Sequence, residues 1–290
     1  MSKSTDKKRI AFQGLPGAYS DLSCRHAYPA CETLPCATFE DAFRAVSDGR
    51  ADLAMIPIEN SVAGRVADVH HLMPNAGLKI VGEHFQRVNH HLLAVPGASL
   101  ETIKTVHSHV QALDQCRKTI RALKLQRVVA PDTAGAAADV AKSGDITRAA
   151  IASSLAGEIY GLISLKKDIE DADHNTTRFV VLAREGIDPD PRKGPVMTTF
   201  VFRVRNVPAA LYKALGGFAT NGINMTKLES YLVGGRFEAA QFYADVEGHP
   251  SDPALIRALE ELHFFTREVT MLGTYPMHPF RRQGSLDESD

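Results

Sequence analysis

The chain has 290 residues, 44% of them hydrophobic and 23% charged, enough apolar material for two cores and unlike a disordered, fibrous or single small module. Its 33 Lys plus Arg against 34 Asp plus Glu leave a formal charge of -1, so no global field selects nucleic acid or an anionic membrane. No apolar run approaches the roughly 20 residues of a membrane span, and the start "MSKSTDKKRIAF" lacks the pattern of a secretory signal, so a cytoplasmic protein is expected.

In chain order, "RIAFQG" reads as a first strand and "AYSDLSCRHAY" as a helix. "TFEDAFRAVSDG" reads as a second helix, with Phe39, Ala42, Phe43 and Val46 on one face and Gly49 suited to the C-terminal cap. "ADLAMIPIEN" is a nearly continuous apolar strand ending in Glu59 and Asn60, with Ser61 expected to cap a helix. "HHLLAVPG", "TIKTVHS", a helix over about 110–123, "RVVAP", the helix "TAGAAADVAKSG", "RAAIAS" and "SLAGEIYGL" continue the alternation of strand and helix. Such alternation predicts an α/β domain with largely parallel sheets. Ligands in these sheets sit beyond the carboxyl ends of strands. Four polar junctions fall there: "QGLPGAYS", "ENSVAG", "HSHVQAL" and "HNTTRF".

Residues 185–197 carry Pro189, Pro191 and Pro195 with Gly186 and Gly194 and read as a linker. Beyond it, strand and helix patterns spell βαββαβ, the ferredoxin-like plan, and the last residues, "RRQGSLDESD", read as a disordered tail.

Cys24, Cys31, Cys36 and Cys116 have no C-x-x-C spacing and are expected as plain thiols. The pairs His70-His71 and His90-His91 diverge on either kind of element and read as surface or packing residues. His107 and His109 share a strand face, but no further metal ligand stands out, so loop histidines are expected. The acidic cluster Asp168, Glu170, Asp171 and Asp173 lacks the ligand spacing of a hard-cation site and is expected as a solvated loop. "QGLPGAYS" matches no nucleotide-binding spacing; it is either an anion-holding turn or a simple tight one. "HNTTRF" places donors at the entrance of an apolar strand and is equally readable as a structural turn.

Taken together and in order, "FQGLPGAYS", "IPIENSVAGRV", "HVQALDQC", "DTAGAAADVA", "AAIASSLAGEIYGL" and "NTTRF", followed by βαββαβ, resemble prephenate dehydratase with a C-terminal ACT regulatory domain. The resemblance covers residues 9 to about 275. It implies conversion of prephenate to phenylpyruvate, carbon dioxide and water in L-phenylalanine biosynthesis, without metal or cofactor. It also implies a two-lobed, periplasmic-binding-protein-like catalytic domain over 8–184 with the second lobe at about 86–175. The linker then spans 185–197, an ACT domain 198–276 and a tail 277–290.

By the same resemblance Thr177 is the catalytic residue, and Asn60, Ser61, Gln111, Arg178 and Phe179 bind substrate. Val110 stands where the family's H-P-Q-A-L motif has proline. The chemistry asks for a held dianion and assistance to a departing hydroxide. A threonine hydroxyl suits an oriented donor better than a full acid, and Glu59 is the other candidate acid. Strand alternation sends Thr177 and Phe179 to one face and Thr176 and Arg178 to the other.

The resemblance further implies L-phenylalanine as effector at a subunit interface of a homodimer or homotetramer. Its sites would be Asn206, Pro208, Ala209, Ala210, Leu211, Glu229 and Ser230. Alanine replaces the family's first glycine at Ala209, and Tyr231-Leu232 stands where the family has Arg-Pro. Two rival readings accompany this one: an enzyme preferring arogenate, and a non-catalytic amino-acid sensor on the same fold.

Overall fold

The computed structural model describes residues 7–205, 207–232 and 239–283. By contact the chain divides into two compact units: one runs to Val69 and resumes at His84–Phe179, and the other takes His70–Glu83 and Val180 onward.

The first sheet is built from β1 (Arg9–Gln13), β2 (Glu32–Cys36), β3 (Leu53–Asn60), β4 (Gly64–Arg65), β5 (Lys79–Arg87) and β11 (Thr176–Ala183), in the order β2-β1-β3-β11-β5 with β4 beside β3. β1 runs parallel to both β2 and β3, as crossover helices α1 (Tyr19–Ala27) and α2 (Phe39–Ser47) require. In α2, Ala42, Phe43, Ala45 and Val46 are buried, Thr38 caps the start through the Asp41 N–H, and Gly49, at φ +75°, closes the end. β3 is apolar on both faces because it lies inside the sheet. The helix expected at Ser61 is instead a hairpin from β3 to β4, and α3 (Ala67–Leu72) begins only after it.

The second lobe carries β6 (His91–Ala94), β7 (Thr105–Ser108), β8 (Gln126–Val129), β9 (Arg148–Ala152) and β10 (Ile163–Lys166) in the order β10-β6-β9-β7-β8. β7 is parallel to β8 and β9, whereas β6 is antiparallel to β9 and β10. This sheet is therefore mixed, not largely parallel: its two parallel pairings involve β7, and its two antiparallel pairings involve β6, the strand that enters from the first sheet.

The helix expected over 110–123 is two, α4 (Val110–Gln115) and α5 (Arg117–Ala122), broken at Cys116 with φ -122° and ψ 26°. Asp171 explains the break. Its N–H donates to the Gln115 carbonyl at 2.6 Å and its carboxylate accepts the Lys118 N–H at 3.2 Å, taking two groups that a continuous helix would use. The acidic cluster is accordingly not a solvated loop as a whole. Glu170 accepts the His90 N–H and is half-buried like Asp171, whereas Asp168, which accepts from Asn89 Nδ2, and Asp173 are exposed. α6 (Thr133–Ser143) and α7 (Ser154–Tyr160) complete the lobe, capped by Asp132 and Ser153 and ended by left-handed Gly144 and Gly161. Four free thiols are present, three of them buried.

The turn after β1 fastens the lobes. Gly17, at φ +88°, lies so close to α7 that a Cβ would come within 2.7 Å of Ala156 Cα. Its carbonyl accepts from Ser153 Oγ at 2.6 Å, and the Pro16 carbonyl accepts from the Tyr160 hydroxyl at 2.8 Å.

In the other unit β12 (Val196–Val204), β13 (Met225–Leu232), β14 (Ala239–Glu247) and β15 (Thr266–Pro276) form an antiparallel sheet in the order β13-β14-β12-β15. With α8 (Ala210–Thr220) and α9 (Pro253–Phe265) this is the ferredoxin-like βαββαβ arrangement. Phe200, Phe202, Phe218, Phe242 and Leu262 are among its core residues. The chain then forms a short helix, α10 (Phe280–Gln283), where a disordered tail was expected, because Arg281 ion-pairs with the buried Glu83. Residues 284–290 lie outside those described. Among the described residues no helix is long and apolar enough to cross a membrane.

Candidate active site

A cleft of about 550 Å³ opens in the first unit. The turn after β1, the β3–β4 hairpin, the first residues of β11, and the ends of α1, α4 and α6 line it. Both lobes thus contribute, as ligand sites in α/β sheets usually have it.

Asn60 is the pivot. Its Oδ1 accepts the N–H groups of Val62 (3.0 Å) and Ala63 (2.7 Å), which shapes the hairpin and settles which end of the carboxamide is oxygen. Its Nδ2 must then donate, and it does so twice: to Asn175 Oδ1 at 2.8 Å and to Thr177 Oγ1 at 2.9 Å. Thr177 Oγ1 is therefore an acceptor toward Asn60, and its own proton is left available to the cleft that Thr177 lines. Replacing Asn60 with Asp keeps the acceptor for the hairpin and removes the donor. Asn60→Asp should fold with the same circular dichroism and slow turnover by about tenfold or more, because the Thr177 hydroxyl would then donate its proton to the new carboxylate instead of the cleft.

Gln111 also lines the cleft, from the first turn of α4. Val110 occupies the first helical position, where proline is favoured but not required, and His109 caps the helix through the Gln111 N–H at 3.3 Å. The proline-to-valine change leaves the helix start in place. His109 is thus a cap, while His107 sits within β7, with Arg148 and Thr105 against its ring; the expectation of two loop histidines fails for His107.

Four other expected site residues do not line the cleft. Ser61 stitches the hairpin to the start of β11: its Oγ donates to the His174 carbonyl at 2.7 Å and accepts the Thr176 N–H at 2.9 Å. Arg178 is 3% exposed and holds Glu59 at 2.9 Å, so strand alternation does carry it away from Thr177. Glu59 is the partner of that guanidinium and faces away from the cleft lining. Phe179 is a core residue. In the turn after β1 the N–H groups of Gly14, Gly17 and Ala18 already donate to Cys36 O, Asp21 Oδ2 and Leu15 O, so these three do not offer an anion nest.

Sequence reasoning missed Tyr19, Arg65, His90 and Gln115, all lining the cleft, and the buried Asn175 behind it. A signal existed for Gln115 alone, four residues after Gln111 and so on the same helical face. Arg65 is the one arginine or lysine among the described lining residues, beside the acids Asp68 and Asp132.

A model of the prephenate dehydratase family matches residues 10–187, more than half of the chain. The chain belongs to that family. As a prephenate dehydratase family member it is a carbon–oxygen lyase. It is 56% identical over 274 residues, 94% of this chain and 98% of the relative, to a bifunctional N-acyl-homoserine lactone acylase/prephenate dehydratase of Komagataeibacter europaeus. It is 44% identical over 285 residues, 93% of this chain and 72% of the relative, to the chloroplastic arogenate dehydratase/prephenate dehydratase 1 of Arabidopsis thaliana. Among solved structures, a prephenate dehydratase of Arthrobacter aurescens in complex with L-Phe superposes with a TM-score of 0.85 at 28% identity, covering 97% of this chain and 98% of the other. A structure described as GqqA, a quorum quenching acylase, superposes with a TM-score of 0.89 at 56% identity, covering 95% and 100%.

In the C-terminal unit, Pro208, Ala209, Ala210 and Leu211 lie at the start of α8, and Glu229 and Ser230 on β13; Asn206 lies outside the described residues. Ala209 has φ +61°, a left-handed conformation that a glycine adopts without strain. Ala209→Gly is expected to raise stability by about 0.5–1 kcal/mol, read as a higher urea midpoint.

Proposed function

We propose that this chain converts prephenate to phenylpyruvate in the cleft, with the Thr177 hydroxyl assisting departure of the ring hydroxyl. The reading rests on one observation above all: the Asn60 carboxamide donates to Thr177 Oγ1, which leaves the threonine proton available to a group in the cleft. In the reaction the bond from the ring to its carboxylate breaks and carbon dioxide leaves. The released electron pair completes the aromatic ring, and the ring C–O bond breaks on the opposite side. The departing hydroxide takes up one proton, supplied in net from solvent, and leaves as water. A hydrogen bond from Thr177 stabilises the charge growing on that oxygen; no proton need move fully from so weak an acid. Arg65 supplies positive charge for a substrate carboxylate, and Gln111 a neutral donor.

The catalytic domain on this reading spans 8–184, with a linker over 185–197 and an ACT domain over 198–276. L-Phenylalanine is the proposed effector, in a homodimer or homotetramer. The L-Phe complex of the Arthrobacter protein supports the effector.

The test is phenylpyruvate formation from prephenate and phenylalanine formation from arogenate, run side by side with and without L-phenylalanine. Turnover of prephenate that L-phenylalanine suppresses supports the reading. Faster turnover of arogenate would reassign the substrate, and phenylalanine binding without any turnover would leave a sensor. The 56% identity to a relative with two named activities makes release of homoserine lactone from an N-acyl-homoserine lactone the second assay.

A further inference from the structure

The hydrogen-bond chain that begins at Thr177 does not stop at Asn175. With Oδ1 of Asn175 occupied by Asn60, its Nδ2 donates to Gln115 Oε1 at 3.0 Å. That same oxygen is 3.0 Å from His90 Nε2. A carboxamide oxygen only accepts, so His90 carries its proton on Nε2. Both contacts fall on the oxygen of Gln115, so its NH₂ group is left for the cleft that Gln115 lines.

Behind His90, Nδ1 is 2.9 Å from the Tyr19 hydroxyl, and the two rings meet edge to face at 5.5 Å. Burial holds the His90 imidazole below its ordinary range, partly offset by Gln115 and Glu170, so it is neutral at pH 7 with Nδ1 as an acceptor. Burial likewise pushes the Tyr19 phenol well up, so it keeps its single proton, and the Asn89 carbonyl at 2.7 Å competes with Nδ1 for it. The Nε2–H tautomer therefore rests on the Gln115 oxygen, whose identity Asn60 and Asn175 fix.

We propose that His90 is a positioning residue for the dehydration: as the Nε2–H tautomer, it fixes the Gln115 carboxamide so that its NH₂ faces the substrate beside the Thr177 hydroxyl. This rests on the cleft being the site of the reaction. His90 is 2% exposed and Asn175 1%, so water does not substitute readily for either donor. Without His90, Gln115 Oε1 keeps one partner instead of two, and the carboxamide is free to turn its oxygen toward a carboxylate-bearing substrate.

The experiment is a double-mutant cycle on kcat/KM for prephenate with His90→Leu, Gln115→Met and the pair, together with His90→Gln. His90→Leu should lower kcat/KM about ten- to a hundredfold, the weight of one hydrogen bond to a charged group. In the Gln115→Met background it should cost nothing further, because its target is gone. His90→Gln, which keeps a donor, should recover most of the loss. Multiplying losses in the double variant, or a His90→Leu enzyme as fast as the parent, would overturn the proposal. If His90→Leu does not fold, the cycle of His90→Phe with Gln115→Met decides by the same criterion. Thr177→Val serves as the control: its retention of activity would displace the site itself, whereas its inactivity with an additive cycle would sink the role of His90 alone.

Discussion

Thr177→Val is expected to lower kcat for prephenate about 10²- to 10³-fold, the effect of removing one preorganised donor from a developing oxyanion, with KM little changed. Valine matches threonine in shape, so the loss isolates the hydroxyl. The hydroxyl is useful because of what it accepts. Asn60 Nδ2 reaches Oγ1 at 2.9 Å, and the carboxamide cannot turn over without giving up the N–H groups of Val62 and Ala63. The hairpin backbone therefore fixes the lone pair that Thr177 uses and keeps its proton off Asn60, available to the ring hydroxyl as it leaves. Thr177→Ser keeps that proton and loses only the methyl that restricts χ1, so it should stay within about tenfold of the parent. A Thr177→Val enzyme within tenfold of the parent would remove Thr177 from the reaction and with it the assignment of this cleft as the site. Because Asn60 Nδ2 then loses an acceptor, the variant should also unfold about 1–3 kcal/mol more easily. Comparing Thr177→Val with Thr177→Ser at equal stability separates the two effects.

How far the sequence carries the reading differs from element to element. α2 was legible because its apolar spacing, threonine cap and terminal glycine agree. β3 was legible because a strand inside a sheet is apolar on both faces. Ser61 misled because helix caps and tight turns use the same small polar residues, and the choice here was made by the Asn60 side chain and by His174 across the sheet. The break at Cys116 was invisible locally. It depends on Asp171, far downstream, and only the folded chain brings the two together.

The site divides the same way. Thr177, Asn60 and Gln111 were found through motif resemblance, and strand alternation separated Arg178 from Thr177 before any coordinates did. Asn175, His90 and Tyr19 belong to three separate segments. Their significance is a hydrogen-bond polarity, which has no period along the chain.

Arg281→Ala is expected to lower the unfolding free energy of the C-terminal unit by about 3–5 kcal/mol, as much as truncating a core residue. The guanidinium grips Glu83 through two parallel bonds, Nε to Oε1 at 2.8 Å and Nη2 to Oε2 at 2.9 Å, and the Glu83 side chain is fully buried. Asp245, also fully buried, lies 3.7 Å from Nη2 and accepts from Thr199 Oγ1 at 2.6 Å. Nη1 reaches Thr226 Oγ1, and the His278 N–H adds a further bond to Glu83. One planar cation thus serves two carboxylates held out of water, and removing it leaves their desolvation cost uncompensated. Arg281→Lys keeps the charge but loses the fork, and it should recover part of the loss. Truncation after residue 276 should cost as much as Arg281→Ala, although a tail read from composition alone would be dispensable. Urea unfolding followed at the protected amides of β14 measures all three variants. An Arg281→Ala protein within about 1 kcal/mol of the parent would mean that water reaches the two carboxylates and that the pair behaves as a surface ion pair.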